Sequence, residues 1–371
     1  MKIGIDAKWF FSGNPSGKVV VRNLLEEFLK MSGHHQVFLF LKKEERELIF
    51  PFNYPNVRLV YVWGKNNQIS NLFFVRKAAM KLKLDAVLYF YFVPLFTNIK
   101  NIVFVFDAIY VSNPEYYSII ERLYFSTIKF LASKANMILT ISKTERQRLL
   151  KYKFSSADKI DVLSMGVQNK YKPQEYHKDE ELLRVCTKFS LPERFILYIG
   201  RMNVRKNILN MLRSISYLDE KNIKLVIGGK YDKKAFDLPE IIKELKVEDR
   251  VIYLGYIDDM DLPVLYSLAT VFCYVSYDEG FGLPPIESLA SGVPTVVANT
   301  GSLPEVCGDA GAYCDPNDPV DIAHKIDSLL SNQLYYDKQR LLGIEISKQF
   351  SWTKSAQHLL EVFENVMNRS V

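Results

Sequence analysis

The sequence predicts an α/β protein made of two doubly wound, Rossmann-like domains in tandem. Three observations carry this reading. Short β-rich runs alternate with amphipathic stretches along the chain, the pattern of parallel strands joined by covering helices. The chain has 371 residues, enough for two cores at roughly 100–200 residues per domain. A polar stretch rich in Lys, Glu and Gln, 168–190, breaks the alternation once and reads as an interdomain segment.

The first domain, 1–167, has expected strands at 2–5, 37–41, 57–62, 86–90, 102–106, 137–140 and 160–163. Helices are expected at 19–31, 70–82, 114–134 and 143–152. The second domain, 191–350, has expected strands at 194–199, 224–227, 251–254, 271–275 and 295–297. A helix near 353–367 closes the chain. Doubly wound sheets take ligands at the carboxyl ends of their strands, so a deep cleft between the two domains is the expected site.

Composition narrows the class further. Hydrophobic residues make up 48 % and charged residues 24 %, with 17 Gly and 15 Pro, which excludes collagen-like, disordered and small disulfide-rich chains. The four cysteines, Cys186, Cys273, Cys307 and Cys314, form no C-x-x-C pair and have no clustered histidines, so reduced thiols and no metal are expected. Lys2 and Asp6 interrupt any leader core, and no apolar run approaches the ~20 residues of a membrane span. A cytoplasmic protein is expected, in solution or peripheral on the inner face of the cell membrane.

Charge is split between the halves. Residues 1–165 carry 24 Lys and Arg against 13 Asp and Glu, a net of +11, and the remainder carries 24 against 29, a net of −5. The basic half, with aromatics interleaved at 71–83, suits an anionic membrane surface, and equally an ordinary amphipathic helix with a solvated lysine face. No nucleic-acid motif accompanies the charge.

Familiar phosphate motifs fail in the first half. No G-x-G-x-x-G follows the first strand, and Gly13–Gly17 is one residue short of a P-loop, with Val19 where a magnesium-binding Ser or Thr belongs. What remains there is a glycine turn opening a helix, able to face a phosphate or to be a plain loop. The second half is richer. An apolar strand ends in Gly200-Arg201, and Arg205-Lys206 opens the next helix, a combination suited to an anion. Downstream, Glu279 and Glu287 are joined by a glycine- and proline-rich stretch, EGFGLPPIE, whose prolines fit a first helical turn. The amides of Phe281, Gly282 and Leu283 would then face a ligand together with both carboxylates; both are also compatible with plain surface charges.

These elements in this order resemble the retaining glycosyltransferases of family 4, which have the GT-B fold. The match rests on GRMNVRKN at 200–207, LGYIDDMDLPVLYSLA at 254–269, the E-x7-E motif from Glu279 to Glu287 and FSWTKSAQHLLEVFE at 350–364. It is looser in the first half, and SLPEVCGDAGAYCDP most resembles the mannosyl- and rhamnosyltransferase-like branch that builds surface polysaccharides. The resemblance implies that Arg201 and Lys206 hold the donor diphosphate, with Arg205 assisting. It implies that Glu279 binds the transferred sugar and Glu287 the ribose. The backbone of Gly280, Phe281, Gly282 and Leu283 would face sugar and phosphate, Tyr256 and Ile257 would meet the base, and Gly17 would admit the first domain's loop to the phosphates. Residues 351–371 correspond to a helix crossing back to the first domain.

The implied reaction moves a sugar, mannose- or rhamnose-like, from a nucleotide-sugar donor such as GDP-mannose to a saccharide or lipid-linked acceptor, with retention and without a metal. Family members commonly carry His-Asp where this chain has Phe106-Asp107, and phenylalanine forms no such hydrogen bond. Either Asp107 supplies the contact, or turnover is slow, or the chain is an inactive nucleotide-sugar-binding subunit. A retaining glycosidase also pairs two carboxylates but has no use for a diphosphate clamp.

Overall fold

The structure, a computed structural model, describes residues 1–64, 66–231 and 237–368. It divides into two compact units, one formed by Met1–Gly166 with the segment from Ser351 onward, the other by Val167–Phe350.

In the first unit seven parallel strands run in the order β3-β2-β1-β4-β5-β6-β7. They are β1 (Lys2–Asp6), β2 (Gln36–Lys42), β3 (Val57–Val62), β4 (Ala86–Phe90), β5 (Lys100–Phe104), β6 (Met137–Thr140) and β7 (Ile160–Val162). Continuous burial of β4 and of nearly all of β1, β2 and β5 is what a sheet covered on both faces requires. β5 lies two residues earlier than 102–106, because its pairing with β4 begins at Lys100 and ends at Phe104. Expected helix 114–134 begins only at Ile119, where Ser118 and Glu121 form a capping box.

The segment expected as helix 70–82 starts earlier, at Asn67, and widens into a π-turn at Ser70–Val75. Asn71 sits in this turn, fully buried. It accepts from Lys8 Nζ at 2.6 Å and donates to Asp6 Oδ2 at 3.1 Å and to the Phe92 carbonyl at 3.0 Å. Lys8 is itself buried and paired with Asp6 at 2.7 Å, so the turn completes a polar cluster at the end of β1.

The helix Trp352–Asn368 belongs to this unit. It packs on the helix Pro15–Met31 through Phe363 against Phe28, with ring centroids 5.9 Å apart, and Thr353 donates to Glu27 at 2.8 Å. Residues 369–371 of the expected closing segment lie outside the described residues. At the junction Gly166 passes so close to Trp352 that a Cβ would lie 2.2 Å from its backbone nitrogen. Gly166→Ala is therefore expected to destabilise the first unit by about 3 kcal/mol, read by chemical denaturation, because backbone cannot yield as a side-chain tip can.

The second unit has six parallel strands in the order β10-β9-β8-β11-β12-β13. They are β8 (Phe195–Ile199), β9 (Lys224–Gly228), β10 (Val251–Gly255), β11 (Val271–Tyr274), β12 (Thr295–Ala298) and β13 (Gly311–Cys314). Stretch 168–190, expected to separate the domains, instead lies inside this unit and holds the helix Asp179–Phe189. Its ion pairs fix it there: Arg184 and Lys188 each reach the buried Asp261 at 2.6 Å.

Candidate active site

Chain reversal in the second sheet occurs between the neighbouring strands β8 and β11, and the loops leaving their carboxyl ends carry the candidate residues. After β8, Asn203 caps a short turn by accepting from the Lys206 amide at 3.1 Å. Asn207 follows in a left-handed conformation, and its side chain donates to the carbonyls of Val275 at 2.9 Å and Pro316 at 2.6 Å. This buried amide ties the first loop to the second and aims Arg205 and Lys206 at Glu279.

Glu279 is 6 % exposed. Lys206 Nζ reaches its Oε1 at 2.5 Å and Arg205 Nη1 its Oε2 at 3.0 Å. Arg205 also donates to the Asp278 carbonyl at 2.5 Å, and Lys206 donates to the Tyr274 hydroxyl. Burial works to raise the Glu279 pKa, but the two cations outweigh it and hold the carboxyl at about 2. The loop is braced from behind by Ser302, whose hydroxyl donates to the carbonyls of Glu279 at 2.9 Å and Phe281 at 2.6 Å. Neighbouring Gly301, at φ +56°, has no room for a side chain: a Cβ would lie 2.8 Å from the Glu279 nitrogen.

Glu287 lies in the helix Leu283–Ala290 and is buried. Tyr266 donates to its Oε2 at 3.1 Å and Tyr171 forms a second hydroxyl contact. Here burial prevails over the hydroxyls and pushes the pKa up to about 7. The two carboxylates thus lie in opposite electrostatic settings, one neutralised by cations and one held by neutral donors. Gly280, Phe281 and Gly282 are buried in the connecting loop, with the Phe281 ring against Phe350 at 5.5 Å, and Leu283 is half-buried at the helix start. Arg201 is exposed just beyond β8. Tyr256 is exposed, and Ile257 is buried over the strand ends, where a Cβ on Gly228 would lie 3.1 Å from it.

Gly17 and Asp107 lie in the first unit. A Cβ on Gly17 would lie 2.7 Å from the Trp9 ring, so this glycine makes room for Trp9. Trp9 in turn stacks on Phe90 at 5.6 Å and packs against Phe106 at 5.7 Å. Phe106, 9 % exposed, also meets Tyr91 and Phe104. An apolar ring suits this aromatic cluster better than an imidazole. Asp107 is half-buried beside it, with Oδ1 3.4 Å from the Ile109 amide. Asp261, which ends the D-x-D run begun by Asp259, is engaged in the ion pairs that hold the helix Asp179–Phe189. Among the described residues no group of three His, Cys, Asp or Glu side chains is arranged to hold a metal ion.

The family model for glycosyl transferases group 1 matches residues 179–349. These residues form a glycosyl transferases group 1 domain. The chain is 34 % identical over 234 residues to O-antigen chain mannosyltransferase B of Escherichia coli, covering 62 % of this chain and 61 % of that one. It is 29 % identical over 244 residues to the serotype-specific mannosyltransferase WbdA of Escherichia coli, covering 64 % of this chain and 30 % of WbdA. The match therefore spans about three-fifths or less of these relatives' lengths. Among solved structures, sucrose-phosphate synthase from Thermosynechococcus elongatus superposes with a TM-score of 0.79 at 19 % identity over 100 % of both chains. Anabaena Alr3699/HepE, solved with UDP and glucose, gives 0.74 at 16 % identity over 98 % of this chain and 100 % of that one. The fold is the GT-B fold.

Within the group 1 domain, sequence reasoning underrated Arg205 and missed the tyrosines. Arg205 is a direct partner of Glu279, whereas Arg201 is the exposed cation. Tyr274 sits at the end of β11, where strand periodicity is the only signal. Tyr171 and Tyr266 are far from Glu287 in sequence and stand out in no motif.

Proposed function

We propose that this protein is a glycosyltransferase that moves a sugar, mannose favoured, from a nucleoside diphosphate donor to a saccharide or lipid-linked acceptor in surface-polysaccharide synthesis. The observation that carries this reading is the buried Glu279 held between Lys206 and Arg205. Breaking a sugar–phosphate bond leaves negative charge on the diphosphate and positive charge on the sugar ring. Two cations and one anion at the carboxyl ends of β8 and β11 meet both needs, and Arg201 also follows β8. An ionised Glu279 accepts hydrogen bonds from sugar hydroxyls and opposes the developing ring charge. Lys206 and Arg205 take the diphosphate, so a bound metal is not required. Glu287, set apart among neutral hydroxyls, receives the ribose.

Relatives named as O-antigen mannosyltransferases support mannose as the sugar, and GDP-mannose is the donor to offer first. Retention of anomeric configuration follows from the family resemblance. The basic first unit is proposed to face the membrane on which a lipid-linked acceptor resides. The test is incubation with GDP-mannose and other nucleotide sugars, with saccharide acceptors, followed by NMR of the product. Acceptor-dependent release of nucleoside diphosphate with the anomeric configuration kept is expected; an inverted product would overturn retention. Selective donor binding with neither transfer nor slow donor hydrolysis would favour the inactive-subunit reading that Phe106 motivates.

A further inference from the structure

Tyr274 is the last residue of β11, and its side chain ends among the groups proposed to hold the donor. It is buried, and its ring stacks against Tyr198 at 5.7 Å and 16° and against Phe272 at 6.0 Å and 15°. Packing of this kind locks the torsions of the side chain, so the hydroxyl at its tip is a fixed point.

That hydroxyl accepts from Lys206 Nζ and bonds the Glu279 carboxylate. Lys206 Nζ also donates to Glu279 Oε1 at 2.5 Å, so ammonium, phenol and carboxylate form a closed triangle. Burial, with the charge on Glu279, holds the Tyr274 phenol well above its usual pKa, so it keeps its proton. Giving that proton to Glu279 turns an oxygen lone pair toward Lys206.

We propose that Tyr274 is the positioning residue for Lys206, the neutral hydroxyl that aims its ammonium at the donor diphosphate. The inference rests on the reading of Lys206 as a diphosphate ligand. A lysine ammonium is a mobile point charge on a four-carbon stem. Glu279 alone would fix one direction, toward the very charge with which the phosphates compete. The phenol fixes a second direction and adds no charge. Arg205 has less need of such a guide, because its planar fork already reaches both Glu279 Oε2 and the Asp278 carbonyl.

Tyr198 supplies the contrast. It is the same residue type in the same stack and is fully buried, yet its hydroxyl has no hydrogen-bond partner among the described residues. That hydroxyl points at Gly200, where a Cβ would lie 3.1 Å from it. Tyr198→Phe therefore removes the same atom from the same stack without loss of a hydrogen bond.

The test is calorimetric titration of GDP, UDP, ADP and dTDP, without divalent metal, into wild type, Tyr274→Phe, Tyr198→Phe, Lys206→Ala and Tyr274→Phe/Lys206→Ala. Tyr274→Phe is expected to weaken the nucleotide that wild type selects by about tenfold, as loss of a hydrogen bond to a charged group does. Tyr198→Phe stays at the wild-type level. In the Lys206→Ala background Tyr274→Phe costs less than about twofold more, because the phenol acts through the ammonium. Wild-type affinity in Tyr274→Phe would overturn the proposal. So would an equal loss in Tyr198→Phe, or the full tenfold loss recurring without Lys206, since either marks a purely structural role. Binding of none of the four by wild type, or wild-type affinity in Lys206→Ala, would instead overturn the diphosphate reading, and this inference with it.

Discussion

Lys206→Ala is expected to lower turnover by about 10²–10³-fold, the usual cost of deleting one preorganised charge from the position where negative charge develops. The same change acts on the resting protein, because Lys206 pairs with a buried carboxylate and with Tyr274. Removing both partners of an ion pair can be nearly neutral, whereas removing one leaves the other desolvated. Arg205 remains 3.0 Å from Glu279, so that carboxylate is not left alone, and the loss of stability is about 1–3 kcal/mol. Steady-state kinetics beside thermal denaturation would separate the two effects. A variant of wild-type turnover would remove Lys206 from the mechanism.

Glu287→Gln is expected to stabilise the protein above neutral pH. Burial raises the Glu287 pKa from 4.5 to about 7, so the folded state binds a proton that the unfolded state has released over that interval. The contribution of this group to stability is fully present below 4.5 and is lost as pH rises through about 7. Above that value the ionised carboxylate costs roughly 2–4 kcal/mol, at 1.36 kcal/mol per pKa unit. Glutamine keeps a partner for both tyrosine hydroxyls and carries no charge, so its advantage appears at alkaline pH and fades toward pH 4.5. Chemical denaturation of both proteins across this range checks the sign, and curves that stay parallel would contradict it. Glu279 behaves oppositely: its cation partners stabilise the fold above pH 4.5, and that gain is lost as pH falls through about 2.

The strands were legible in the sequence because parallel strands buried on both faces read as apolar runs, as in β4, β8 and β11. What escaped has identifiable physical causes. The helix Asp179–Phe189 has an apolar stripe at Leu182, Val185, Cys186 and Phe189, but it is set in a run of charged residues that reads as a linker. It is held by ion pairs to Asp261, a partner that no local pattern reveals. β13 is four residues long and starts at a glycine, too short for its alternation to register. In the site, Glu279, Glu287, Arg205 and Lys206 were legible from their spacing and from the family resemblance. Their electrostatic difference was not, because it depends on folding that buries both carboxylates but sets Arg205 and Lys206 against Glu279 and only the neutral hydroxyls of Tyr266 and Tyr171 against Glu287. Phe106 was legible as a departure, but its reason, the ring cluster with Trp9, Phe90, Tyr91 and Phe104, exists only in the folded chain.

Lys206 and Arg205, anchored on Glu279, are the proposed seat of a nucleoside diphosphate. Calorimetric titration of GDP, UDP, ADP and dTDP into wild-type protein and Lys206→Ala, without divalent metal, tests it most directly. Selective binding of one nucleotide, weakened at least about tenfold in the variant, is the predicted result. Binding of none of the four, or binding that Lys206→Ala leaves unchanged, would contradict it.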